Sequence, residues 1–147
     1  MDKQVELMLQ GIRYKQLLER EIIQIREKYS LRKVDIKILY YLSRCGEKDT
    51  SRDIQNSTKL TRGHISQSIF RMQKMNILMF IPDEKDRRCV HLKLTPEAES
   101  VVCEITEIWT RLNQIIFDGI TEEEKRVLEK VAIKIDTNIE KALNEIE

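Results

Sequence analysis

The chain has 147 residues, enough for one domain with a buried core, and its 41% hydrophobic and 35% charged residues suit a globular rather than a disordered protein. No apolar run approaches the ~20 residues of a membrane span, and the charged, amphipathic N-terminus holds no signal-peptide core, so a soluble cytoplasmic protein is expected. The net charge of +1 conceals a basic middle: residues 1–42 hold nine Lys/Arg against six Asp/Glu, residues 43–94 eleven against six, and residues 95–147 six against thirteen. A module facing phosphates needs that local excess, so a near-neutral total does not argue against a nucleic-acid partner.

Along residues 3–28, Val5, Met8, Leu9, Ile12, Leu17, Leu18, Ile22 and Ile25 recur at helical spacing. A second, buried helix is expected from Arg32 to Arg44, ending near Gly46. Thr50 and Asp53 form a capping box for a short third helix, with Gln55 to Lys59 as its end and turn. Thr61 can cap a fourth helix to about Met75, with an apolar face of Ile65, Ile69, Met72 and Met75. Ile77–Ile81 reads as a strand, Pro82–Arg88 as a charged turn, and Val90, Leu92 and Leu94 as a half-exposed strand on which His91 faces solvent. Thr95 caps a fifth helix with Pro96 at its first position; Gly119 breaks it, and Thr121 with Glu124 opens a sixth. The expected fold is mainly α with a small β-hairpin wing, in the order α-α-α-α-β-β-α-α, with room for a third short strand. A helix pair followed by a two-stranded wing is a winged helix-turn-helix.

The fourth helix carries Arg62, Gly63, His64, Ser66, Gln67, Phe70 and Arg71 off its apolar stripe. Gln67 suits bidentate bonding to adenine, and Ser66 and His64 suit base edges or phosphate. Arg62 and Arg71 suit phosphate, while Gly63 lets backbone approach a duplex. Arg87 and Arg88 at the wing suit the narrow minor groove. Lys85, Arg52, Lys59 and Lys74 are candidate backbone contacts. Tyr14, Tyr40, Tyr41 and Trp109 are candidates for an effector crevice between the first, second and fifth helices, or for core packing. Cys45, Cys89 and Cys103 lack CxxC spacing and read as small buried hydrophobes, although Cys89 beside Arg87 and Arg88 is where a lowered thiol pKa is expected. Two histidines give no metal cluster, and no nucleophile or phosphate loop points to an enzyme; no cofactor or metal is expected.

The segment PDEKDRRCVHLKLTPEA resembles the wing signature of MarR-type transcriptional regulators, through Asp86, Arg88, Leu94 and Thr95. LTRGHISQSIFRMQKMNIL is similar to that family's recognition helix. The chain departs from the pattern at Asn76, Phe80 and Ala98; Asn76 stands where Gly is usual, and asparagine is the next-best residue for a left-handed cap. The resemblance implies an obligate homodimer with recognition helices in major grooves and wings in minor grooves, Asp86 bracing Arg88, and modulation by a small-molecule effector. It also implies a division into a DNA-binding lobe at 32–94 and a helical dimerisation region at 1–28 and 95–147, within a single unit 1–147. The expected function is a ligand- or stress-responsive repressor that binds a pseudo-palindromic operator. The rival is an antirepressor-like protein-interaction module that does not bind DNA.

Overall fold

Helix starts are where local chemistry is most explicit. In the computed structural model, which describes residues 11–145, every threonine expected to open a helix precedes a helical or 3-10 segment. The described elements are α1 (Gly11–Tyr29), α2 (Lys33–Leu42), α3 (Ser51–Thr58), α4 (Arg62–Lys74), β1 (Leu78–Pro82), β2 (Val90–Leu94), a 3-10 turn (Pro96–Ala98), α5 (Glu99–Ile116) and α6 (Glu122–Asn144). The order matches the sequence expectation. The expected contributions of Val5, Met8 and Leu9 lie outside the described residues.

Thr50 and Asp53 cap α3 reciprocally: Asp53 N–H donates to Thr50 Oγ1 at 3.2 Å and Thr50 N–H to Asp53 Oδ2 at 3.1 Å. Thr121 and Glu124 do the same for α6, at 3.2 and 2.8 Å. Thr61 accepts from His64 N–H at the start of α4. Thr95 departs from its expected role. Its hydroxyl donates back to the Asn76 and Ile77 carbonyls, at 2.6 and 3.1 Å, and makes no cap bond. It thereby ties the end of β2 to the exit of α4, and Pro96 begins a 3-10 turn before α5.

Asn76 adopts the left-handed conformation, φ 59°, so asparagine fills the turn between α4 and β1 where glycine is usual. The antiparallel hairpin pairs Leu78 with Leu94 through to Pro82 with Val90. Among the described residues the sheet has two strands and the third short strand allowed for is absent; Leu92 N–H also donates to the Asp49 carbonyl at 2.9 Å.

The residues form two compact units, one ending at Thr110 and one beginning at Arg111. In the first, Ile22 and Ile25 of α1, Ile36, Ile38 and Leu39 of α2, Ile54 of α3, Ile65 and Met72 of α4, Leu78, Leu92, Val101 and Ile105 are buried. α4 packs on α2, α3 and β1, so its position is set from three sides. Lys28 Nζ and Tyr29 Oη donate to Glu104 at 2.5 and 2.8 Å, joining the end of α1 to α5. In the second unit α6 is amphipathic, and in the single chain its stripe of Val127, Leu128, Val131, Ile139 and Leu143 is exposed. No helix of the described residues is long and apolar enough to cross a membrane.

Candidate nucleic-acid interface

The outward face of α4 follows from helical geometry. Ile65, Ser68 and Met72 are buried on one side, and at 100° per residue the opposite side carries Gly63, Ser66, Gln67, Phe70 and Lys74. Arg62 and His64 lie on the flanks of that face, and Arg62, Gly63, His64, Ser66 and Gln67 are all exposed. A Cβ built on Gly63 would meet nothing within 4 Å, which leaves a flat approach for a partner. Arg52 on α3 and Lys59 in the turn after it are exposed too; Lys59 takes a left-handed conformation, φ 57°, that turns the chain into α4.

Arg71 differs from the expectation of an outward phosphate contact. Its guanidinium is turned inward and bonds the buried carboxylate of Asp35 on α2. Ser68 donates to the same carboxylate oxygen, and Arg32 N–H to the other at 2.7 Å. The physical reason is burial. Asp35 is 0% exposed, and a carboxylate with no water around it requires donors. The ion pair fixes α4 against α2.

At the wing, Asp83 forms an Asx turn: its Oδ2 accepts from the N–H groups of Lys85 and Asp86, both at 3.0 Å. Asp86 Oδ1 accepts from Arg88 N–H at 3.0 Å, so it braces the backbone of Arg88 rather than its guanidinium. Lys85, Asp86, Arg87 and Arg88 are exposed, and the cationic groups of Lys85, Arg87 and Arg88 form no ion pair with any described residue.

A second aspartate joins the wing to the body. Asp49, 2% exposed and just before α3, accepts from Leu92 N–H through its backbone. Its side chain meets His91 Nδ1 at 2.5 Å and lies 2.6 Å from Lys93 Nζ, an ion pair rather than an aligned hydrogen bond. His91 Nε2 meets Asp83 Oδ1 at 2.8 Å. His91 was expected to face solvent; instead it bridges two carboxylates. Both ring nitrogens face acceptors, which requires the doubly protonated ring. Accordingly Asp83, then Asp49, raises the His91 pKa. His91, then the Asp86 and Lys85 amides, lowers Asp83 to about 2. Burial pushes Asp49 up, but Lys93 and His91 outweigh it and its pKa is lowered. Nothing in the alternating strand pattern marks these partners; the Pro-Asp pair opening the turn was the one available signal.

The cysteines depart from expectation. Cys103 is exposed and Cys45 and Cys89 are half-buried, so none is a core hydrophobe. The Cys89 thiol is raised, not lowered: burial acts first, then Asp83 and Asp86, the charges the folded turn brings to it.

Of the effector candidates, Tyr40 and Trp109 come together, with ring centroids 5.2 Å apart. Tyr14 is exposed, and burial and then Tyr40 raise its phenol. Tyr41 stands apart, donating to the Lys48 carbonyl at 2.8 Å. Trp109 also borders a narrow apolar crevice with Ile22, Ile25, Ile36, Ile105 and Ile108, and its buried indole N–H has no acceptor among the described residues.

Residues 31–98 match the family model of a winged helix DNA-binding domain. The HTH-type transcriptional regulator YsmB of Bacillus subtilis (strain 168) is 33% identical over 67 residues, 46% of this chain and 46% of that protein, so the match spans about half of each. The transcription regulator MarR of Oenococcus oeni PSU-1 superposes with a TM-score of 0.74 at 26% identity, covering 88% of this chain and 97% of that one. The S. aureus MepR–DNA complex shares the fold, with a TM-score of 0.73 at 18% identity over 90% of this chain and 96% of MepR. Residues 31–98 are thus a winged helix DNA-binding domain, and the six described helices and the wing, in the expected order, give the chain the fold of MarR along most of its length.

Proposed function

We propose that this protein is a homodimeric, sequence-specific DNA-binding repressor whose affinity a small ligand or stress signal lowers. One observation carries the reading. Two exposed surfaces, the face of α4 around Ser66 and Gln67 and the arginine-bearing tip at Lys85–Arg88, are both anchored to the same body by buried aspartates. Rigid support under exposed, uncommitted polar groups is what a groove-reading surface requires. Gln67, Ser66 and His64 read bases; Arg62, Arg52, Lys59 and Lys85 neutralise phosphates; Arg87 and Arg88 enter the minor groove, braced by Asp86. Arg71 orients α4 from inside. That MepR, a protein of the same fold, is known in complex with DNA supports this docking.

Residues 32–94 serve as the DNA lobe, and the helices of 1–28 and 95–147 as the dimer region. The exposed apolar stripe of α6 supports that assignment, because a second copy would cover what a single chain leaves in water. Dimerisation spaces the two recognition helices for half-sites about 34 Å apart. An effector acts near Tyr40 and Trp109, where an indole N–H with no acceptor among the described residues offers a donor to an anionic or phenolic group. The crevice is narrow, so binding there must separate helices, which changes the spacing of the dimer.

The test is selection of duplexes from a random pool, followed by affinity measurement from low to high salt. A pseudo-palindromic winner whose affinity falls steeply with salt is expected, because each phosphate contact releases counterions. Retention of no duplex at low salt, or affinity indifferent to salt, would overturn the reading and favour a protein-interaction module.

A further inference from the structure

The outward face of α4 is polar except at one residue. Phe70 is 55% exposed, and on the helical wheel it sits at the centre of that face, within 20° of Gly63. Ser66 and Gln67 are its neighbours one turn back, and Lys74 one turn on. Core packing does not explain it, because the buried side of the helix, through Ile65, Ser68 and Met72, points the other way. The Lys74 ammonium lies over the ring, 4.5 Å from its centroid, leaving the remainder of the phenyl to solvent.

We infer that Phe70 is a specificity-determining residue that packs against the C5-methyl group of a thymine in the major groove. The inference rests on the DNA-binding reading above. Thymine alone among the four bases presents an apolar group on the major-groove edge, and phenylalanine is one of the side chains that contact it. Gly63, two turns before Phe70, carries no side chain to hold the helix off the duplex at its N-terminal end. Phe70 and Gln67 are three residues apart, about 4.5 Å along the axis, so the thymine lies within one or two base-pair steps of the base that Gln67 reads. Lys74 accompanies the ring and is placed to exchange its cation–π contact for a phosphate when the groove is engaged.

The experiment starts from a duplex selected with the full-length wild-type chain. Each thymine is replaced singly by deoxyuridine, which removes the methyl group and leaves the pairing edge and backbone intact. Wild type should lose about fourfold in affinity at one thymine per half-site, the burial value of one methyl group. F70A should bind the parent duplex more weakly and be indifferent to that replacement, and F70L should keep part of the discrimination. Thermal unfolding of both variants should match wild type, since the side chain is exposed. Uniform indifference of wild type to deoxyuridine, or undiminished discrimination in F70A, overturns the role given to Phe70 while leaving DNA binding intact. Retention of no duplex by wild type removes both readings together.

Discussion

Replacing Asp35 with alanine tests whether the recognition helix is held from inside. Three groups lose their acceptor: the Ser68 hydroxyl, the Arg71 guanidinium and the Arg32 N–H. Ser68 is buried, so its orphaned hydroxyl costs about 1–2 kcal/mol. The lost helix-start bond costs about 1 kcal/mol. The Arg71 side chain is 26% exposed and can turn to water, so its contribution is about 1 kcal/mol rather than the several expected of a sealed pair. The total is about 3–4 kcal/mol, a fall in Tm on the order of 10 °C for a chain of this size. Arg71→Ala leaves the buried carboxylate without its counter-charge, held only by Ser68 and the Arg32 N–H, and should cost as much or more. Circular dichroism melts of both single variants and the double variant measure the coupling, expected at about 2 kcal/mol. A Tm change under about 3 °C for Asp35→Ala, or strictly additive losses, would refute the reasoning.

Arg88→Ala should weaken binding to the selected duplex with an unchanged Tm; equal affinity in a gel-shift titration would remove the wing tip from the interface. Gln67→Ala should lower sequence preference more than nonspecific affinity, and a parallel drop in both would show that Gln67 does not read a base. His91 has a raised folded pKa, so its stabilisation is complete below its ordinary value near 6.5 and is lost as pH rises through the folded value. Asp83 has a depressed folded pKa, so its contribution is present above the ordinary carboxylate range and is lost as pH falls through about 2. Protection of the Lys85 and Asp86 amides, relative to unstructured amides at the same pH, should therefore be greatest on the acid side of neutrality, and His91→Gln should flatten the loss of protection on raising pH; an unchanged profile would disprove the clasp. Val131→Glu puts a charge in the exposed stripe of α6 and should shift the sedimenting species from two chains to one; an undisturbed dimer would move the interface elsewhere.

Signals that act within a few residues were legible in the sequence. Capping boxes at Thr50 and Thr121, the left-handed asparagine at 76 and the alternation of Val90, Leu92 and Leu94 all report on chain neighbours, and each located its element. Pairings across long separations were not. Asp35 with Arg71 and Asp49 with His91 join residues 36 and 42 apart, and no periodicity encodes which carboxylate meets which cation. The same gap misdirected the reading of Cys89, whose arginine neighbours in sequence matter less than burial and the carboxylates folded around it. Thr95 was legible as a boundary but not in its partner, since a hydroxyl that can cap can equally bond back to a strand.

Three successive residues of β2, His91, Leu92 and Lys93, all meet Asp49. A one-residue slip of the strand would send His91 and Lys93 to the opposite face and break every one of these contacts at once. The hairpin therefore has its register fixed at the root, on the body rather than in its own turn. A single residue inserted between Pro82 and Asp83 or after Cys89 should cost the module its shape.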